Sequence, residues 1–266
     1  MPPARGLITL LTDFGDRDWF VASMKGVILS IHPDVHIVDL SHQIASHQIE
    51  EAGYVLHSCY RSFPDGTIHV CVVDPGVGSA RRPILVTTSR YYFLAPDNGL
   101  LSLALRDEQN VEIRQIEDAR FRLHSEGATF DGRDLFAPVA ARLSKGEQVS
   151  SFGRVINDPV THSMTDPIWQ GQELVGRVEY VDRFGNLISN ITVKHTHEFQ
   201  TMTRRKHLTI HIGTYAIKGL VASYSEGRGD TPSVLINSCG KLEIFLHRNN
   251  AAQHMQIGVG EDIRLC

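Results

Sequence analysis

Apolar runs that end in aspartate recur through the first hundred residues. "LLTD" closes on Asp13, "HIVD" on Asp39, "CVVD" on Asp74 and "FLAPD" on Asp97. Segments with helical spacing separate them. Phe20, Met24, Val27, Ile28 and Ile31 recur at threes and fours within 18–32, and Ile49, Ala52, Leu56 and Cys59 share one face within 47–63. A helix between two strands returns the chain to the same end of the sheet, so the strands pair in parallel. Their C-terminal ends then line one edge, the place where open α/β sheets bind ligands. One aspartate there reads as a helix N-cap; four raise the expectation that at least two face a ligand. A carboxylate suits the paired hydroxyls of a ribose, or a cation.

The alternation continues to about residue 150. Residues 83–96 read as a hairpin around Ser89–Arg90, 99–107 as a short helix, 111–116 as a strand and 133–145 as a helix with an internal proline. The polar, two-proline stretch "NDPVTHSMTDPIWQGQ" breaks the rhythm and reads as a linker. Beyond it only strand-like runs stand out ("ELVGRVEYVD", "LISNITV", "HLTIHI", "SVLINS", "KLEIFLH"), with no long helix. The expected architecture is α/β: a mostly parallel sheet flanked by helices over 1–156, a linker over 157–172, and a smaller all-β domain, sandwich or barrel, over 173–266.

Charge and composition exclude several classes of function. A net charge of −4, from 26 basic and 30 acidic residues, argues against a nucleic-acid binder. No stretch approaches the roughly 18 apolar residues of a membrane span, and the N-terminus lacks the apolar region of a secretory signal. Cys59, Cys71, Cys239 and Cys266 are scattered with no C-x-x-C pair, which favours a reducing cytoplasm over a disulfide framework or a structural zinc. "HPDVH" and "SHQIASH" lack the H-E-x-x-H arrangement, so no metal site is expected.

The segment "CVVDPGVGSARRP" carries the most information. It lacks the Lys-Ser/Thr of a P-loop and the third glycine of a dinucleotide fingerprint. It reads either as a plain strand–turn or as a loop that folds Arg81 back onto Asp74, and such a pair serves equally as an ordinary ion pair or as chemistry. "ATFDGRDLFAP" (128–138) places Asp131 before a helix, where it reads as an N-cap or as a site residue. "VDRFGNLISNI" (181–191) reads as a hairpin turn in which Asn186 offers both a donor and an acceptor.

Taken together and in order, "LLTDFG", "VDPGVGS" followed by arginine, "APDNGLL", "TFDGRDLFAPVAA", "DRFGNLISNI" and "INSCGKLEIFLHRNNAA" resemble the S-adenosyl-L-methionine (SAM) hydroxide adenosyltransferases, adenosine-forming hydrolases related to the fluorinases and chlorinases. The resemblance implies attack of water or hydroxide on ribose C5′ of SAM, giving adenosine and L-methionine. SAM is then the substrate and no cofactor is required. It also implies a homotrimer with sites between subunits, and no nucleic-acid or membrane partner. Halogenases carry a tyrosine where Asp74 stands, a threonine near Val77 and an insertion after the loop; their absence here points to the hydrolase branch, with a SAM-dependent halogenase or a nucleoside-binding protein of little catalysis as the alternatives.

By motif match the resemblance implies a water-handling triad of Asp74, Arg81 and Asp131. Asp131 replaces the histidine of the family's T-F-H-G-R-D and is expected to take over its hydrogen-bonding role. If two carboxylates share one arginine there, one of them is expected to hold a proton near neutrality. The same match gives Asp13 the ribose hydroxyls. It implies that Phe130 and Phe184 would help form the nucleoside pocket, and that Asn186, Ser238 and the backbone near Ala251 would bind adenine. By the same match Asp182 would reach the methionine amino group and Tyr224 would pack against the base. Cys239 stands where a halogenase has arginine.

Overall fold

The computed structural model describes residues 3–4, 6–162, 166–205 and 207–266. The chain divides into two compact units, Met1–Ser163 and Met164–Cys266.

The first unit is built on strands β1 (Leu7–Thr12), β2 (His36–Ser41), β3 (Ile68–Val72), β4 (Pro83–Thr87), β5 (Tyr92–Pro96), β6 (Glu112–Gln115) and β7 (Val155–Ile156). Its helices are α1 (Phe20–Ile31), α2 (Ile49–Cys59), α3 (Ser102–Arg106) and α4 (Ala137–Ser144). The sheet order is β2-β1-β3-β5-β4-β6-β7. β2, β1, β3 and β5 are parallel; β4, β6 and β7 pair antiparallel. Alternate side chains along each strand face opposite helical layers. Ile8, Leu10, Val70, Val72 and Leu94 pack with Met24 and Ile28 of α1 and Val139 and Leu143 of α4. Leu11, Cys71, Val86, Phe93 and Ala95 pack with Ala52 and Leu56 of α2 and Ala104 of α3.

β1 is followed in space by β2 on one side and β3 on the other. The order therefore reverses between β1 and β3, and a crevice opens at their C-terminal ends. Thr12 and Val72 pair in register there, so Asp13 and Asp74 emerge at the same edge. The other two strand-end aspartates are used structurally. Asp39 pairs with Lys25 at 2.5 Å and contacts His42. Asp97, buried, binds Arg82 and accepts the Val160 backbone N–H at 2.8 Å. That bond, the Arg82–Asp158 pair and the His162 N–H on Ser102 Oγ fasten 158–162 onto the first unit. Residues 163–165 of the expected connection lie outside the described residues.

The expected helix with an internal proline is wound differently. Gly132–Phe136 forms one wide π-turn, and α4 begins at Ala137 with Pro138 in its first turn. Pro138 has no N–H to give the Asp134 carbonyl four residues back, and that carbonyl accepts the Leu123 N–H at 2.8 Å instead.

A buried histidine sits inside the sheet. His69 is cross-strand from Thr9 and its Nδ1 lies 2.8 Å from Thr9 Oγ1. Its ring packs among Tyr60, Phe63, Tyr91 and Phe93, with Nε2 buried and unpartnered. Burial lowers its pKa from 6.5 to about 3. Between those values the unfolded chain takes up a proton that the folded chain refuses, so stability is intact above pH 6.5 and is lost as pH falls toward 3. At pH 5 this one group should cost roughly 2 kcal/mol. Urea unfolding at pH 7 and pH 5 should reveal that slope in the wild type, and a flatter one in His69→Gln.

The second unit contains β8 (Ile168–Gln170), β9 (Glu173–Val181), β10 (Leu187–Thr192), β11 (Thr209–Ile212), β12 (Tyr215–Lys218), β13 (Ser233–Ile236), β14 (Lys241–Phe245) and β15 (Asp262–Leu265). They form one antiparallel sheet in the order β12-β11-β15-β9-β10-β14-β13, with β8 on β9. Val178, Leu187, Ile191, Ile210, Leu242, Ile244 and Ile263 make its core. The expectation of no long helix here is corrected: α5 (Val193–Thr203) spans 11 residues, and a short α6 (Ala251–Met255) follows β14. The pattern of α5 is weak because it buries little more than Thr196 and Phe199. Its start is set instead by a reciprocal cap, Thr192 Oγ1 accepting the His195 N–H while His195 Nδ1 accepts the Thr192 N–H.

Candidate active site

After β3 the chain turns sharply. The Val77 N–H donates to the Asp74 carbonyl, the Gly76 N–H to Asp74 Oδ1, and the Ser79 N–H and hydroxyl to the Gly76 carbonyl. A Cβ on Gly76 would lie 3.2 Å from Arg81 Cγ, and Gly78 adopts φ +77°. These two glycines allow the loop to close on itself and bring Arg81 back over Asp74. Arg81 Nε donates to Asp74 Oδ2 at 2.8 Å, and Nη2 approaches the same oxygen at 2.5 Å. Nη2 also donates to Asp131 Oδ2. The guanidinium rests over the Phe136 ring, and Nη1 donates to no protein acceptor among the described residues.

Asp131 is not a helix cap: its side chain makes no capping bond. It is buried, with Oδ2 on Arg81 and Oδ1 on Arg122 Nη1 at 2.5 Å. Burial opposes its ionisation, but the hydrogen bonds from Arg122 and Arg81 prevail and hold the carboxyl below the usual carboxylate range. Asp74 and Asp131 share Arg81, as expected. The expectation that one of the two holds a proton near neutrality is corrected for Asp131, where a second guanidinium keeps the carboxylate ionised. Arg122 lies in "ARFRLHSE", which carries no motif, so sequence reasoning missed it.

Phe130, next to Asp131 in the chain, belongs to an aromatic cluster. Phe130 packs edge-on against Phe14, Trp19 and Phe20, with ring centroids 5.3–5.8 Å apart, and lies 9% exposed. Asp13 is half-buried at the end of β1, where Oδ2 accepts the His47 backbone N–H at 3.0 Å.

In the second unit, Asp182, Phe184, Asn186 and Tyr224 line one cavity of about 730 Å³ with residues 245–250. Phe184 is 75% exposed, a free aromatic face suited to stacking on a planar ring. Tyr224 packs edge-on against Phe245 and donates its hydroxyl to the buried Glu243 at 2.7 Å. The Asp182 carboxylate accepts the backbone N–H groups of Phe184 and Asn186 and the Asn186 side-chain amide. It therefore organises the turn first, and a ligand amine would share oxygens already engaged. Ser238 lies exposed in the β13–β14 turn and Ala251 buried at the start of α6; neither lines the cavity. His247 and Asn250 do, and they stand in the quoted segment "FLHRNNAA" without having been singled out.

Residues 8–153 match the SAM hydroxide adenosyltransferase N-terminal domain and residues 176–264 the C-terminal domain of the same family. An (R)-S-adenosyl-L-methionine hydrolase of Methanocaldococcus jannaschii is 34% identical over 97% of this chain and 95% of its own. A protein of the same name from Thermus thermophilus is 29% identical over 97% of this chain and 98% of its own. A fluorinase from an Actinoplanes species is 26% identical over 91% of this chain and 92% of its own. Among solved structures, an uncharacterized conserved protein of Thermotoga maritima superposes with TM-score 0.89 at 31% identity, over 97% of this chain and 99% of that one. With both domains matched in order and relatives spanning nearly its whole length, the chain belongs to the SAM hydroxide adenosyltransferase family.

Proposed function

We propose that the protein hydrolyses S-adenosyl-L-methionine to adenosine and L-methionine. The observation that carries this reading is the Asp74–Arg81–Asp131 chain at the crevice between β1 and β3, in a family whose curated relatives bear that activity in their names. The reaction is a nucleophilic substitution. Oxygen forms a bond to C5′ as the C5′–S bond breaks, and its electron pair neutralises the sulfonium. The leaving thioether needs no proton, so no general acid is required; the water proton leaves through Asp74 to solvent. Asp74 holds the oxygen in line with C5′–S, while Arg81 stabilises its hydroxide character through the uncommitted Nη1. In-line placement of a bound nucleophile contributes several kcal/mol, up to roughly 7–11 in ideal cases.

Asp13 takes the ribose hydroxyls beside Phe130, while Phe184, Asn186 and Tyr224 take the adenine, Phe184 and Tyr224 by their rings. Ser238 and the backbone at Ala251 supply further adenine contacts from outside the cavity wall, and Asp182 faces the methionine amino group. SAM is the substrate and no cofactor takes part. Among the described residues no helix is long and apolar enough to cross a membrane; a cytoplasmic setting is part of the same proposal.

The working assembly is a homotrimer in which each reaction centre draws on two copies of the chain. Purified protein given SAM should release adenosine, methionine and one proton per turnover, measured by chromatography and pH-stat. The relatives' names specify an R sulfonium centre, so both epimers belong in the assay. A chloride- or fluoride-dependent 5′-halo-5′-deoxyadenosine would move the protein to the halogenases, and tight binding without adenosine to a nucleoside-binding role. Mixed trimers of Arg81→Ala and Asn186→Ala chains should regain activity if sites are shared; an inactive mixture would make each chain self-sufficient.

A further inference from the structure

The charged groups at the site form a line: Asp74, Arg81, Asp131 and Arg122, each carboxylate meeting the next guanidinium. The first three side chains are 5%, 11% and 7% exposed, and only Arg122, at 41%, opens to water. The signs alternate and sum to zero. The three buried groups sum to one negative charge, which the outer guanidinium of Arg122 balances. We propose that Arg122 is a positioning residue for the hydrolysis, gripping Asp131 from its outer side so that Asp131 holds Arg81 against Asp74 and leaves Nη1 aimed at the nucleophile.

Two observations support it. The two oxygens of Asp131 are divided between the guanidiniums, Oδ2 to Arg81 and Oδ1 to Arg122, so each fixes the carboxylate against rotation toward the other. Asp131 also sits at the start of a π-turn with no capping bond of its own, so these two contacts are what orient it. Loss of Arg122 frees Asp131 to rotate onto Arg81 and adds uncompensated negative charge near an oxygen that must become hydroxide-like. Both effects act on the chemical step and neither touches SAM.

The inference rests on the reading of the previous subsection. In Arg122→Met, kcat should fall on the order of 10- to 100-fold with KM nearly unchanged. Arg122→Lys, which keeps the charge, should regain most of it. The groups facing Asp131 are Arg81 and Arg122, with Asp74 behind Arg81. Removing one of its two cations should therefore move the acid limb of the kcat profile to higher pH. A ¹³C-detected titration of the Asp131 carboxyl in wild type and Arg122→Met reads the same coupling without turnover. An unmoved midpoint overturns the inference whether or not the protein consumes SAM, as does an unaltered kcat or a loss that lysine does not restore. A wild type that releases no adenosine, with the midpoint still shifted, overturns the hydrolase reading and leaves the grip of Arg122 on Asp131 standing.

Discussion

Arg81→Ala should lower kcat on the order of 10³-fold while leaving KM for SAM unchanged or smaller. The direction of KM is the informative part. SAM is a cation, and a guanidinium near its sulfonium repels the ground state; removing it cannot weaken binding through charge. What Arg81 stabilises is the oxygen as it takes on hydroxide character, an interaction that exists mainly in the transition state. The variant also leaves Asp74 and Asp131 buried without their shared cation. Breaking a buried pair by removing one partner costs roughly 3–5 kcal/mol, so the protein should melt earlier. The two effects separate under rescue: millimolar guanidinium should fill the vacated space and restore part of kcat, whereas a general folding defect would not be repaired by that ion. A large rise in KM with kcat intact would transfer Arg81 from chemistry to binding.

The layers of the first unit, and the sheet edge that carries Asp13 and Asp74, were legible because the patterns are local. The 3.6-residue spacing in α1 and α2 and the apolar runs of β1 and β3 each report their own burial. The glycines of the 74–81 loop likewise announce a tight return. What could not be read depends on groups far apart in sequence. Asp97 looks like Asp74 in the chain, yet it holds the Val160 N–H and Arg82. Asp131 looks like a helix cap, yet against the cost of its burial Arg122, nine residues away in a patternless stretch, joins Arg81 in holding its carboxylate ionised. The α5 helix was hidden because its stripe is narrow and its start rests on a reciprocal cap rather than on amphipathicity. In the second unit the aromatic and amide candidates Phe184, Asn186 and Tyr224 gather at one cavity, but Ser238 does not, because the β13–β14 turn carries it away from the lining.

Gly185→Ala should destabilise the second unit by about 3–5 kcal/mol and raise KM for SAM more than it lowers kcat. Gly185 has φ +83°, a conformation that strains any residue with a Cβ. A Cβ built there would lie 2.1 Å from Asn250 Cγ and 2.2 Å from its Oδ1. Asn250 cannot yield freely: its Oδ1 accepts the Gln253 N–H at 2.7 Å and caps α6. Losing such a cap costs roughly 1 kcal/mol by itself. The Gly185 carbonyl also accepts the Ala252 N–H at 2.9 Å, so the turn and the helix start are locked face to face with no room for a methyl. Because Asn186 and Asn250 both line the 730 Å³ cavity, pushing the two segments apart widens the space proposed to receive the adenine. The double variant Gly185→Ala/Asn250→Gly tests the cause: removing the Asn250 side chain relieves the overlap but not the backbone strain. Denaturant unfolding should then recover about half of the lost stability. Full recovery would mean that the positive φ is harmless, and no recovery would mean that Asn250 is not what the new methyl meets.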